Sequence, residues 1–331
     1  MRFDPVLYAM AKKGGSGGGG GSSGGDNFPI GDGNTHIWIS LPEGRTSPML
    51  GVAVKGTVTV DWGDGSAPDT LTGTSVSNLK YTPNHQYGKA GDYVITLSVD
   101  GEMAIVPDGY YPTFFGGSSV ANNANNALNQ SYRCAVRKVE LGSAVTSVGD
   151  FSFYFYYALE SFFAHESFVS IGQKAFQNCY SLRNVIIPSS VTTVLSSAFY
   201  GCSALTDVII PGSLTSVGDY MFYRCYALSK VVMQTGVKSI NISAFYECYN
   251  LTTISIPESV ESIGTNAFEK CSTLKTIDFS HHTFVPALAA TNAFNGIPSD
   301  CIFKIPASLY DEWVAATNWS AVAASYTFVG V

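Results

Sequence analysis

One interval governs this chain. Phe153, Phe176, Phe199, Phe222, Phe245 and Phe268 follow one another every 23 residues. Leu159, Leu182, Leu205, Leu228, Leu251 and Leu274 keep the same step, as do Cys179, Cys202, Cys225, Cys248 and Cys271. A fourth column, Val148, Ile171, Val194, Val217, Ile240 and Ile263, runs in register with them. Self-similarity at a fixed short period marks a stack of repeated units. A unit this short cannot bury its own apolar face, so each coil must borrow its core from its neighbours. One unit reads Leu251-Thr252-Thr253-Ile254-Ser255-Ile256-Pro257, then passes through Val260, Ile263, Ala267, Phe268 and Cys271. Its Leu-x-x-Ile-x-Ile opening predicts a short strand with the apolar residues inward. Pro257 ends it, because proline cannot continue a ladder. Coils spaced like neighbouring strands, about 4.8 Å apart, turn every column into a ladder, and about seven coils give a core roughly 35 Å long.

This pattern resembles the 23-residue leucine-rich repeats of bacterial surface antigens over roughly residues 136–300. The resemblance implies a solenoid that serves adhesion and recognition, not catalysis. The cysteines fit it as core residues. Of the seven, five share one column and point the same way into the core, which suits small buried hydrophobes better than disulfides. No C-x-x-C or Cys/His spacing suggests zinc, and Cys134 and Cys301, outside the column, read as free thiols. The period stretches after Phe268 to 26 residues, reaching Phe294, so the stretch Ser280–Phe284 carries an insertion. His281 and His282 within it read as loop residues. Residues 301–331 predict a C-terminal cap, with Leu309, Trp313 and Ala316 on a helix face that seals the last coil.

The first half is built differently. Residues 1–13 form an apolar head in which Phe3, Val6, Leu7 and Met10 have the i, i+3, i+4, i+7 spacing of one helix face. Residues 14–33 form a linker, and 14–25 are only Gly and Ser, a tether spanning roughly 20 Å. A head on such a tether suggests a docking peptide for a virion or surface scaffold. Its charge follows its apolar stretch, the reverse of a secretory leader. From 34 to 107 the pattern alternates, as in His36-Ile37-Trp38-Ile39-Ser40-Leu41 and Tyr93-Val94-Ile95-Thr96-Leu97-Ser98-Val99, which predicts strands. Val58-Thr59-Val60-Asp61-Trp62-Gly63-Asp64-Gly65-Ser66, His85-Gln86-Tyr87 and Ala90-Gly91-Asp92-Tyr93 resemble the polycystic-kidney-disease (PKD) domain. That resemblance implies an immunoglobulin-like β-sandwich used outside cells as a spacer or binding module. Asp61, Asp64 and Asp69 suggest calcium at first sight, but aspartates at such junctions normally bond their own backbone, so no metal is expected. Residues 108–135 read as a connecting loop and N-terminal cap, with a short helix over 127–132.

The fold class expected is therefore mainly β: a PKD-like sandwich followed by a leucine-rich-repeat solenoid. Charged residues are only 13% and the net charge is −7, which argues against a nucleic-acid partner. No apolar run is long enough to insert in a membrane. The string G-x-S-x-G occurs only inside the Gly/Ser run of residues 14–25, which does not read as a nucleophile elbow, and no Walker or H-E-x-x-H motif is present, so neither catalysis nor a cofactor is expected. The informative positions are those the core does not dictate. One column after the repeat Phe carries Tyr154, Tyr200, Tyr223 and Tyr246; one after the Cys column carries Tyr157, Tyr180, Tyr226 and Tyr249. Tyr brings large, rigid, amphipathic area at low entropic cost, and stacked rings suit sugars, so these eight are the candidate ligand-binding residues. The partner expected is a glycan or protein of a host surface, with the chain facing the outside of a virion or bacterial cell. Two other roles fit the sequence: a phage fibre or decoration protein attached through residues 1–13, or the accessory binding subunit of a secreted hydrolase.

Overall fold

The structure, a computed structural model, describes residues 31–43, 47–105, 115–116 and 133–331. The solenoid opens at Val136 and fills more than half of the chain. Strands of successive coils pair in parallel with a step of 23 residues, as in Ser161 with Asn184, Asp207 with Lys230, and Thr253 with Thr276. A second run of short strands does the same: Ser147 with Ser170, then Ser216, Ser239 and Ser262. The insertion is absorbed without losing the stack. Ser262 pairs Ala287, Thr276 pairs Ile302, and the Phe268 and Phe294 rings still lie face to face at 5.8 Å.

Between the two strand runs each coil makes a turn that holds the Phe and Cys columns. The Phe153, Phe176, Phe199, Phe222, Phe245 and Phe268 rings stack at 5.1–5.6 Å with planes within 11° of parallel. The five column cysteines are fully buried, and all seven cysteines are free. Each column thiol donates to the Phe carbonyl of the preceding coil, at 3.1–3.3 Å. Burial pushes the thiols up, Cys271 to about 12, so they stay protonated and able to donate. A cysteine thus fills a small apolar space and gives a buried carbonyl, already bonded to a backbone N–H of its own turn, a second hydrogen bond, which alanine cannot do.

The N-terminal unit is joined to the solenoid by strand pairing. Its strands are β1 (Thr35–Leu41), β2 (Met49–Asp61), β3 (Asp69–Tyr81), β4 (Gly91–Ile105) and β5 (Phe115–Gly116). The solenoid opens with β6 (Val136–Leu141) and β7 (Val145–Val148). Among the described residues β1 to β5 are linked to one another by strand pairing, and that pairing runs on into the solenoid. β1 lies antiparallel to β6, placing Ile37 beside Val139, while the end of β4 lies parallel to β7. β4 is 15 residues long and so reaches both: Gly91 to Leu97 pair β1, and Met103 and Ile105 pair β7. One continuous apolar core runs from Ile37 to Val322. The physical reason is edge protection. An uncovered first coil would expose two strand edges, and β1 and β4 take both. The helix expected over 127–132 lies outside the described residues.

The PKD-like motif itself is well ordered. Trp62 is fully buried, donates from its indole nitrogen to Asp69 at 2.8 Å, and stacks on His85 at 4.5 Å. The Tyr87 hydroxyl donates to the Trp62 carbonyl at 2.8 Å. Gly63 has φ 76° and lies so close to the Val94 carbonyl that a Cβ would sit 2.3 Å from its oxygen. At the other end, α1 (Tyr310–Ala315) and α2 (Trp319–Ala323) close the stack. Trp313 is buried, with Leu309 and Ala316 packed against the core, as the sequence implied. Trp319 joins them and donates to the Pro286 carbonyl at 2.7 Å. His282 lies in the loop between two strands, as the sequence implied, but it is buried there against Phe279 and Trp313, and burial pushes its imidazole down.

Truncating the centre of the phenylalanine ladder tests this packing. Phe222→Ala should cost about 3–5 kcal/mol of stability, read by denaturant melting, because two stacked neighbours cannot close the cavity.

Candidate recognition surface

The tyrosines sit on the Phe–Cys turns, and the backbone there explains how they are held. Phe151, Lys174, Ser197, Tyr220, Ser243 and Asn266 form a left-handed column with φ between 52° and 61°. Phe155, Asn178, Gly201, Arg224, Glu247, Lys270 and Gly296 form another, at 59–75°. Left-handed conformation at a residue with a side chain costs on the order of 1 kcal/mol. Inter-coil hydrogen bonds offset it. Lys174, Phe176 and Asn178 donate to the carbonyls of Ser196, Ala198 and Tyr200 at 3.0, 2.8 and 2.7 Å, and the other coils repeat the pattern. Every second N–H of the turn thereby reaches the next coil, and the position between the last two donors (Tyr154, Gln177, Tyr200, Tyr223, Tyr246) presents its side chain outward in fixed register, while the position between the first two is buried.

The eight candidate tyrosines fall into two groups. Tyr200, Tyr223 and Tyr246 stack at 4.7 and 4.5 Å with planes 8° and 3° apart. Tyr226 and Tyr249 stack beside them at 5.1 Å and 3°. Tyr157 and Tyr180 pair at 5.3 Å near the start of the solenoid, with Tyr154 against Phe155. Gln177 and Ser203 interrupt the columns between the groups. All eight are partly or well exposed, Tyr180 most at 46%. One expectation changes with this geometry. Rings stacked this closely cover one another's faces, so the central ones offer edges and hydroxyls, not platforms for a sugar.

A charged column missed in the sequence braces the larger group. Arg224 donates to Glu247 at 2.9 Å, and Lys270 donates to the other Glu247 oxygen at 3.2 Å. Arg224 lies over the Tyr223 ring, while Lys270 lies over Tyr246 and donates to its hydroxyl at 2.5 Å. Tyr220 flanks Tyr223 at 5.8 Å. Residues 224, 247 and 270 obey the 23-residue step, and that was the available signal. Being neither apolar nor of one type, they did not stand out as a column. Burial works to raise the Glu247 carboxyl, but the hydrogen bonds from Arg224 and Lys270 outweigh it and hold it below the ordinary range. Burial and the neighbouring rings push the Tyr223 phenol up to about 12 against the pull of Arg224, so it stays a neutral donor.

The remaining candidates separate cleanly. Asp61 accepts from its own Gly63 N–H, Asp64 from Ser66 N–H and from His85, and Asp69 from Trp62. Each carboxylate is thus committed elsewhere, and no group of three metal-ligating side chains stands among the described residues. Phe3, Val6, Leu7 and Met10 lie outside the described residues. No helix among those described is long and apolar enough to cross a membrane.

Residues 128–252 and 238–309 match the model of the BspA-type leucine-rich repeat region, in six copies, together more than half of the chain. The chain belongs to that family. Similar solved structures include a leucine-rich cell surface protein from Faecalibacterium prausnitzii, 30% identical over 55% of this chain, with a TM-score of 0.45. A leucine-rich repeat protein from Bacteroides ovatus is 25% identical over 59% of this chain, with a TM-score of 0.46. The alignments span only 57% and 54% of those two chains. A leucine-rich repeat protein from T. pallidum is 21% identical over 58% of this chain and 85% of its own, with a TM-score of 0.32. No curated protein matches the chain.

The ion ladder makes a pH-dependent prediction. A carboxyl lowered in the folded state stabilises the fold above its unfolded value of about 4.5 and loses that contribution as pH falls through the lower folded value. Glu247→Gln should therefore melt below the parent at pH 6, with the difference shrinking towards pH 3. Thermal melts across that range check it.

Proposed function

We propose that this chain is a non-catalytic recognition protein that binds its partner through the edge formed by Tyr200, Tyr223, Tyr226, Tyr246 and Tyr249. The observation that carries the reading is the joint presence of five stacked, half-exposed tyrosines and the Arg224–Glu247–Lys270 brace on consecutive coils. Tyr and Arg dominate binding hot spots because they combine apolar area with hydrogen-bonding capacity. Both residue types meet here on a rigid backbone, so little conformational freedom is lost on binding. The covered ring faces favour a protein partner over a glycan, since sugars bind aromatic side chains by stacking on the face. An outward-facing position on a cell or particle surface is part of the proposal, and the F. prausnitzii protein bears the description of a cell surface protein. The PKD-like reading of residues 34–107 is retained as local kinship, supported by the Trp62–Tyr87 contact.

A second role, attachment to a virion or surface scaffold, rests on the apolar head at Phe3, Val6, Leu7 and Met10 and its Gly/Ser tether. An accessory role to a hydrolase has no observation in its favour beyond the PKD-like motif.

Replacing Tyr223 and Tyr226 together with Ser should reduce partner binding by at least about thirtyfold, the equivalent of a hot spot of roughly 2 kcal/mol. Some stability should be lost as well, since each stacked pair contributes about 0.5–1.5 kcal/mol beyond area burial. Pull-down from surface extracts and glycan arrays, set beside the melt, separates the roles. Unchanged capture by the folded variant places the site elsewhere, and glycan-array binding abolished by the same variant would reverse the preference for protein.

A further inference from the structure

The strands that open each coil carry two outward rows, and one of them is apolar for a limited length. At the same position of successive coils stand Glu140, Phe163, Ile186, Ile209, Val232, Ser255, Asp278 and Lys304, all in strands but Ile186, which directly follows one. Four consecutive coils thus present Phe163, Ile186, Ile209 and Val232 on the outer face of the sheet. These are partly exposed, Val232 to 38%, while the residues on either side of each point into the core and are buried. After Val232 the row turns polar. The stripe is therefore bounded, about 14 Å long by strand spacing, and independent of the tyrosine edge.

The place where the described chain begins gives this stripe a tenant. The Gly31 N–H donates to the Glu140 carboxylate at 2.7 Å, and Glu140 is the strand neighbour of Phe163. The segment before Gly31 is thus attached at the head of the apolar row. A random coil of the length of residues 14–30 spans roughly 20–25 Å, enough to bring residues 3–10 over any part of it. Phe3, Val6, Leu7 and Met10 have the spacing of one helix face about 10 Å long, matched to the stripe. Short flexible tethering of this kind holds a ligand at millimolar effective concentration, so even a weak apolar contact is occupied.

We propose that residues 3–10 dock on the Phe163–Ile186–Ile209–Val232 stripe of their own molecule. Docking shields the apolar face of the head and the stripe at once. Any scaffold that captures the head must first displace it from the solenoid, which makes attachment and exposure of the stripe one event.

Amine cross-linking of the full chain tests this. Lys12 and Lys13 follow the head, and Lys230 lies in the row beside the stripe. Mixed heavy and light isotopic labelling distinguishes links within one molecule from links between two. The expected result is an intramolecular link from Lys12 or Lys13 to Lys230. Its yield should fall about tenfold or more in Phe3→Ser/Leu7→Ser and in Ile186→Asp/Ile209→Asp, because each pair removes apolar burial. The head variant decides alone if the stripe variant melts early. No link in the parent, a link that survives in the variants, or links only between differently labelled molecules would each overturn the proposal.

Discussion

Everything in this molecule follows from the stacking of one coil on the next. A coil of 23 residues has too little surface to fold alone, so its buried rings, its carbonyls and its turn N–H groups are completed by its neighbours. The phenylalanine ladder supplies apolar contact, the cysteine thiols give the phenylalanine carbonyls a second hydrogen bond, and the turn N–H groups reach the following coil. The same dependence permits strained left-handed residues as large as Phe151 and Tyr220, since the inter-coil bonds over-determine their position. It also means that a stack has no natural end. Both ends must be closed by something that is not a repeat.

The two closures differ in how far they could be read from the residues. At the C-terminus the helix face of Leu309, Trp313 and Ala316 was visible as a pattern, and only Trp319 was missed. At the N-terminus the alternation of residues 34–107 gave the strands, but not their neighbours. Periodicity specifies which face of a strand is buried; it does not specify which edge it joins. Pairing of β1 with β6 and of β4 with β7 was therefore invisible, and the motif resemblance carried no information about it. The repeat columns were legible for the opposite reason: in a stack, the interval along the chain is itself the spatial neighbour relation.

The surface follows the same logic. Stacking aligned the tyrosines as their spacing required, yet it also turned their faces toward each other and left edges for a partner. The Arg224–Glu247–Lys270 brace was hidden because its three residues differ in chemistry while sharing a position. A solenoid thus writes two kinds of column: uniform ones, which make the core and are easily seen, and mixed ones, in which neighbours complement each other. Recognition surfaces belong to the second kind, which is why fold was more legible than function in these residues.

The dependence of each coil on a neighbour is tested most directly at the N-terminal junction. The comparison is between the chain described here and residues 133–331 alone, followed by thermal melting and by hydrogen exchange of the first two coils. If β1 and β4 complete the solenoid, the shortened chain should melt at a lower temperature or aggregate, and the amides of Val136–Val148 and Ser161–Ala164 should lose protection first. An unchanged melt with the same protection in those strands would contradict it, and would restore the N-terminal unit to the status of a separate module.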